Sequence, residues 1–460
     1  MSGERRAAIP PTAGAASPPL LRRLAGPAFW STLGAGASRI LAVGAAILVA
    51  RELGAAGFGE LNLVQTTAGM LMALGGFGLN TTATKLLAGK YRADPLGAGR
   101  VIVLSGAMSV AVGSVTAVLL VANAGWVARE VLAAPQLEPA LVVAALLLVV
   151  SPLTGTQIGV LMGLERFRSI AVVNTAAAAA SIPLLVVGTR LAGMLGAVAA
   201  TVATALLTAG IQWVAVGRAM RAAGIRLAAR EAVREWRLLF SYSVPLTLSN
   251  VLLAPVAWAT SALIAHQAEG LSELGLFAAA NQWRNAIVLL ATSAGAVVFP
   301  LFSHLHDSGR PRSFARAFWT SAGVTGGAAL LVAAILAILS PALMHAYGTE
   351  FRGASDVLVV LVLAGAVAAP LTIVGHAIAG AGRMWLGFGL NLLWACTLVA
   401  ATYGLRSRGA LGLSIANLVA YGVHLLVGLA CVRGAFRAAS AREATSRGAA
   451  TTPHPDVAGA

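Results

Sequence analysis

Two arginines stand where the sequence offers them no water. Arg39 lies near the middle of one long apolar stretch and Arg284 near the middle of another. A guanidinium at bilayer depth costs at least ~3 kcal/mol on insertion scales, so each must face a wet cavity or a partner. Arginine stays charged at any relevant pH and grips phosphate through two parallel N–H bonds, so a cleft holding two of them suits an anion. Asn281 and Asn285 flank Arg284, and at about 100° per residue positions 281, 284, 285 and 288 share one helix face. Thr32 precedes Arg39 by two turns on the same face. Asn62 with Gln65, and Ser243 with Thr247 and Asn250, form further polar stripes. Such groups either meet a polar ligand or bond between helices.

Chemistry of other kinds has no foothold. Gly89-Lys90 is followed by Tyr91 and lacks the first glycine of a phosphate loop. There is no His-Glu-x-x-His, no Cys-x-x-Cys and no pair of acids within one apolar stretch. Cys396 and Cys431 sit in apolar surroundings and read as packing residues. The expectation is a chain with no catalytic residue, no metal site and no cofactor, and hence not an enzyme.

The elements that must position these residues follow from composition. Of 460 residues 58% are hydrophobic and 10% charged, against about 25% charged in soluble domains, so most of the surface must face lipid. Windows of roughly 20 apolar residues fall at 28–50, 58–80, 99–122, 139–162, 168–189, 192–216, 238–264, 274–302, 315–340, 354–380, 384–403 and 410–432. Twenty-four of the 32 Lys and Arg lie in the segments that share a side with the amino terminus, six lie opposite, and Arg39 and Arg284 lie inside spans. That bias places both termini in the cytoplasm of a multi-pass inner (plasma) membrane protein. It also accounts for the net charge of +16 as a topology signal and an attraction to anionic lipids, with no nucleic acid implied. Thirty Arg against two Lys suggests a GC-rich bacterial source. The expected organisation is a disordered cytoplasmic tail (1–25), a six-helix lobe (26–216), a basic cytoplasmic linker (217–237), a second six-helix lobe (238–433) and a disordered cytoplasmic tail (434–460).

The lobes repeat. Gly193-Met-Leu195-Gly196 with Ala200 matches Gly409-Ala-Leu411-Gly412 with Ala416 at an offset of 216 residues. Gly59 matches Gly275 at 216, and Gly163, Arg166 and Asn174 match Gly380, Arg383 and Asn391 at 217. An even number of spans per repeat inserts both copies in one orientation, a parallel repeat about an axis along the membrane normal. The fold class expected is therefore all-α integral membrane, about 12 transmembrane helices in two six-helix halves related by a parallel pseudo-twofold repeat.

Particular segments carry a resemblance. Ala50-Arg-Glu-Leu-Gly54-Ala-Ala-Gly57-Phe58-Gly59-Glu-Leu-Asn62 leads into a span closing Gly75-Gly-Phe-Gly78-Leu-Asn-Thr-Thr82 and Lys85. Ser241-Tyr-Ser-Val-Pro245, Glu273-Leu-Gly275-Leu-Phe-Ala-Ala-Ala280, Phe299-Pro300 and Tyr347-Gly-Thr-Glu-Phe351 follow. From about 22 to 433 the chain resembles the oligosaccharide flippases of the multidrug/oligosaccharidyl-lipid/polysaccharide exporter superfamily. The resemblance implies a polyprenyl-(pyro)phosphate-linked oligosaccharide as substrate, moved by alternating access for surface polysaccharide biosynthesis. Glycosyltransferases or a polymerase of the same pathway are the implied partners. In the related lipid II flippases arginines of the first and eighth spans line the cavity, and Arg39 and Arg284 occupy comparable places. Many members carry an Asp in span 7, where this chain reads Trp258-Ala-Thr-Ser261, which removes any ion-coupling role for that Asp. The alternatives are a multidrug/cation antiporter of the same superfamily and a non-transporting component of a polysaccharide assembly complex. The antiporter is disfavoured because every Asp and Glu lies at or near a span end or in a loop.

Overall fold

The computed structural model describes residues 20–75, 78–227, 252–308 and 311–450. Among them every regular element is helical: α1 (Leu20–Gly75), α2 (Leu79–Lys90), α3 (Pro95–Trp126), α4 (Glu138–Gly163), α5 (Phe167–Ala222), α6 (Leu253–Ala265), α7 (Gly270–Asp307), α8 (Pro311–Ile338), α9 (Ser340–Tyr347), α10 (Ser355–Gly380), α11 (Met384–Leu405) and α12 (Gly409–Ala450). In hydrocarbon each backbone N–H and C=O must find its partner within the chain, and a helix satisfies both. Two of these elements are pairs of spans joined at a kink. α1 turns at Gly54 (φ 69°, ψ −178°) and α5 at Ala192–Gly193 (φ 55°, ψ −135° at the glycine). Phe167–Ala222 has 56 residues, which at about 1.5 Å per residue is enough for two crossings. Among the described residues each expected span falls on helix, span 7 being described only in its second half as α6.

The repeat is written in the backbone. Gly193 and Gly409 hold nearly one conformation, φ 55° with ψ −135° and φ 55° with ψ −131°. Arg166 and Arg383, matched at 217, precede α5 and α11 with φ −90°, ψ 48° and φ −91°, ψ 53°. The residues before them, Glu165 and Gly382, both take a left-handed turn, φ 58° and 69°. Pro152 inside α4 has its counterpart in Pro370 inside α10. Glu165 and Gly382 share the turn with different side chains, so the agreement reports a shared architecture and not shared composition alone.

The two lobes meet where the repeat crosses itself. A Cβ placed on Gly59 of α1 would run into the carbonyl oxygen of Leu271, and one on Gly275 of α7 into that of Ala55. Residues 55 and 59 stand to 271 and 275 at the offset of 216, so the pseudo-twofold axis passes through this glycine pair. Around it the packing is continuous: Val49, Phe58, Ala128 and Leu132 of one lobe share a core with Phe277, Tyr347, Phe351 and Leu358 of the other. At the opposite end the described residues form separate cores. Leu87, Val101, Leu161 and Met220 belong to the first lobe alone, and Phe302, Phe318, Ile373 and Leu390 to the second. The lobes are joined at one end and parted at the other.

Three boundaries differ from the sequence expectation. The first helix starts at Leu20, inside the segment expected to be a disordered tail at 1–25, and the last runs to Ala450, beyond the expected end at 433. Residues 434–450 are rich in Ala and Arg, strong helix formers that continue a helix already nucleated. α5 extends to Ala222 into the expected linker, and 228–237 of that linker lie outside the described residues.

Overpacking a tight contact costs ~1–3 kcal/mol. Gly59→Ala and Gly275→Ala are each expected to lower the melting temperature of the detergent-purified protein, and Gly69→Ala, with open space around its Cβ position, to leave it unchanged. Equal melting temperatures for all three would show that the glycine pair is not a close contact.

Candidate functional site

A cavity of about 510 Å³ lies in the first lobe against α7. α1 contributes Asn62 and Gln65, α4 contributes Ser151 and Thr154, and α5 contributes Ser181, Thr201, Thr204 and Thr208. Gln282 of α7 brings in the second lobe, and Ala45, Val49, Phe58 and Leu147 supply apolar wall. Among the described residues that line it none carries a charge. Asn62 is half-buried and Gln65 exposed into it, in keeping with the polar stripe read from the sequence.

The two arginines lie beside this cavity and not in its wall. Arg39 is one turn from Ala42, a lining residue, and its Nη2 donates to the carbonyl oxygen of Gln282 across the lobe boundary. Arg284, two residues further along α7, turns into the second lobe. Its Nη1 donates to Asn417 Oδ1 (3.2 Å) and to the Tyr421 hydroxyl (3.1 Å), its Nη2 to Asn285 Oδ1 (3.0 Å). The guanidinium also lies 5.6 Å from the centre of the Tyr421 ring, within cation–π range. Among the described residues neither arginine has a carboxylate partner, and the Nε atoms of both are buried without one. Both therefore hold a full charge at membrane depth against neutral oxygens only.

The residues expected from the sequence are thus dispersed in a definite way. Asn62 and Gln65 line the cavity, Arg39 crosses to α7, and Arg284 with Asn285 faces α12. Asn281 is half-buried on α7 with its Oδ1 unpartnered. Thr32 lies on α1, and Ser243, Thr247 and Asn250 lie outside the described residues. The single cleft expected for both arginines is divided, because the α7 face that carries Arg284 packs on α10 at Gly365 and on α12, whereas Arg39 projects from α1. Sequence spacing alone left Gln282, Asn417 and Tyr421 unmarked. Asn417 and Tyr421 are four apart within an apolar helix, a polar pair that could have been found by the same face argument.

The joined end is fastened by a carboxylate. Glu350 Oε2 accepts the backbone N–H of Ala55 (2.6 Å), at the start of the half of α1 that follows the Gly54 kink. A negative charge there meets the positive end of the helix dipole. Arg51 Nε donates to the Ala346 carbonyl (2.6 Å), and the Phe58 ring is held between Tyr347 and Phe351, with ring centres 6.4 and 6.3 Å away. Deeper in, Trp258 Nε1 donates to Thr67 Oγ1 (3.0 Å), so the span 7 position without an acid makes a lobe-to-lobe bond instead.

A bundle of two such six-span lobes is the fold of the MOP-superfamily transporters. At 16% identity the chain superposes on an inward-facing multidrug resistance MATE family transporter of that superfamily with a TM-score of 0.74, covering 88% of this chain and 95% of that one. The outward-facing form of such a transporter gives 0.64, with 90% and 95% covered. Residues 25–306 match the family described as "Polysaccharide biosynthesis protein", and the chain belongs to that family. It is also 28% identical over 196 residues to the EPS I polysaccharide export inner membrane protein EpsE of Ralstonia nicotianae. The Ralstonia solanacearum EpsE aligns with the same identity and length. That alignment spans 42% of this chain and 44% of the relative, so the chain matches less than half the length of these proteins.

Removing a buried acceptor leaves its donor unsatisfied at a cost of ~1–3 kcal/mol. With Cys396 and Cys431 replaced, Ala55→Cys is expected to react slowly with a membrane-impermeant maleimide and roughly tenfold or more faster when Glu350→Ala is added. An unchanged labelling rate would mean that Glu350 does not hold the joined end.

Proposed function

We propose that this protein is a flippase for polyprenyl-(pyro)phosphate-linked oligosaccharide, carrying it from the cytoplasmic to the outer leaflet of a bacterial inner membrane for surface polysaccharide synthesis. The observation that carries the reading is the pair of guanidiniums that meet at α7, Arg39 on the Gln282 carbonyl and Arg284 two residues on, neither with a carboxylate partner among the described residues. A charge at that depth without a counter-ion is costly, and a pyrophosphate supplies the counter-ion only when substrate is present. Displacing a carbonyl from Arg39 and amide and phenol oxygens from Arg284 exchanges neutral acceptors for charged ones, which bind a guanidinium about twice as strongly.

Orientation follows from the count of basic residues, which favours both termini in the cytoplasm. The parted end of the lobes, bearing Lys85, Arg166 and Arg383, is then the cytoplasmic end, and the end fastened by Glu350 is the outer one. The substrate enters from the inner leaflet with its pyrophosphate at the arginines, its sugars in the polar cavity and its polyprenyl chain left in lipid. The lobes then rock about the Gly59–Gly275 contact, the Glu350 fastening opens, and release occurs outside. Anionic lipids gather at the basic cytoplasmic rim, and glycosyltransferases and a polymerase act before and after the step.

The multidrug transporters that share the fold favour a second reading, export of cationic drugs. Cations call for carboxylates in the cavity, and among the described residues that line it there is none; Glu52, Glu138, Glu165 and Asp94 pair with arginines at the helix ends.

Cells lacking the protein, in a background without a redundant homologue, are expected to accumulate a polyprenyl-linked oligosaccharide on the cytoplasmic leaflet, detectable by mass spectrometry of extracted lipids. Wild type should clear it, and Arg39→Ala or Arg284→Ala, present at normal level, should reduce clearance at least tenfold. Clearance by both variants would remove the arginines from the mechanism, and an unchanged lipid pool would favour small-molecule export.

A further inference from the structure

We infer that the cavity of the first lobe is a subsite for uncharged sugar rings, selecting them by the donors they bring. The inference rests on the flippase reading above and adds to it the chemical class of the glycan.

Five of the six hydroxyls that line the cavity, all but that of Ser151, are already spent as donors. Thr201 Oγ1 donates to the Ala197 carbonyl (2.9 Å), Thr204 Oγ1 to that of Ala200 (2.8 Å) and Thr208 Oγ1 to that of Thr204 (2.7 Å). Ser181 Oγ donates to the Ala178 carbonyl (2.7 Å) and Thr154 Oγ1 to that of Ser151 (2.8 Å). A hydroxyl has one proton and two lone pairs. With the proton committed to the helix, what each presents to the cavity is an acceptor. Residues 201, 204 and 208 recur at helical spacing, so three such acceptors form one stripe along α5.

A wall of acceptors sorts ligands by chemistry. Phosphate and carboxylate oxygens have no proton to give and would meet lone pairs with lone pairs. Accommodating them along the α5 stripe would require breaking the intrahelical bonds. A sugar ring offers several O–H donors, and its C–H faces suit the apolar remainder at Ala45, Val49 and Phe58. Gln65, Asn62 and Gln282 supply the amide donors that sugar oxygens need. The volume of about 510 Å³ falls within the ~300–1,000 Å³ usual for ligand sites.

Gln282 ties this subsite to the anion site. Gln282 lines the cavity, and its backbone carbonyl accepts from Arg39. A pyrophosphate at Arg39 therefore sits beside the first sugar, as in a glycan linked through its reducing end. Charge and hydroxyls of one substrate are divided between two neighbouring sites, and a glycan bearing a uronic acid in its first residues is disfavoured.

The test uses the full-length chain in detergent and native mass spectrometry with three probes: a polyprenyl pyrophosphate, the same lipid carrying N-acetylglucosamine, and the same lipid carrying glucuronic acid. The N-acetylglucosamine probe is expected to bind more tightly than the bare lipid, and the glucuronic acid probe no more tightly. Thr204→Val, which keeps the shape and deletes the acceptor, should weaken the N-acetylglucosamine probe about two- to tenfold and leave the bare lipid unaffected. Gln65→Met should do the same, and serves if Thr204→Val does not fold. A glucuronic acid probe that binds as tightly as the neutral one, or indifference of the neutral probe to both substitutions, overturns the subsite while sparing the flippase. Failure of the bare lipid and both sugar probes to bind would overturn the flippase reading and the subsite with it.

Discussion

Two helix backbones touch at Gly59 and Gly275, and the rest of the molecule is arranged around that contact. Lipid gives helices no hydrophobic reason to associate, so close approach of small residues and a few polar bonds must hold the lobes. The glycine pair brings α1 and α7 together on the pseudo-twofold axis, each backbone lying where the other's Cβ would be. Because the contact lacks side chains, it can keep the lobes in register without interlocking them. Further contacts between the lobes lie off the axis, in the Glu350 carboxylate, the Phe58–Tyr347–Phe351 rings and the Arg39 bond to α7.

The placement of charge follows a second rule. Among the described residues ion pairs sit at helix ends or beside the kinks, where water screens them: Glu52 with Arg190, Glu138 with Arg129, Asp94 with Arg100 and Glu165 with Arg92. Each is worth about 0–1 kcal/mol and contributes little to the fold. The interior instead holds two arginines and a set of neutral hydroxyls and amides. It is on this contrast, among the described residues, that the proposal of an anionic, hydroxyl-rich substrate rests.

Much of this was legible in the residues themselves. The twelve spans followed from hydropathy, and the parallel repeat from glycines and arginines at offsets of 216 and 217. Of those positions Gly193 and Gly409 proved to be left-handed turns and Gly59 and Gly275 a close backbone contact, and both situations favour glycine. Gly54 was placed between two spans and Gly193 at the start of the sixth, and the structure joins the helices there by kinks, which hydropathy does not distinguish from loops. The ends of the chain were misjudged for another reason: Ala- and Arg-rich sequence reads as solvated, yet it extends helices that tertiary packing has already begun. For the candidate site, helical spacing put Arg284 and Asn285 on one face but could not say which neighbour that face meets. That depends on lobe packing, which brings Asn417 and Tyr421 of α12, some 130 residues away in sequence, to Arg284.

The central claim is that the lobes pivot about the glycine pair, and distances at the two ends measure it directly. Spin labels at Arg51 and Arg352 report the joined end, and labels at Arg166 and Arg383, exposed and related by the repeat, report the parted end. Double electron–electron resonance on the reconstituted protein, with and without a polyprenyl pyrophosphate carrying N-acetylglucosamine, compares the two pairs. The account predicts opposite changes, the first distance lengthening as the second shortens. Two distances that stay fixed, or move in the same direction, would contradict it.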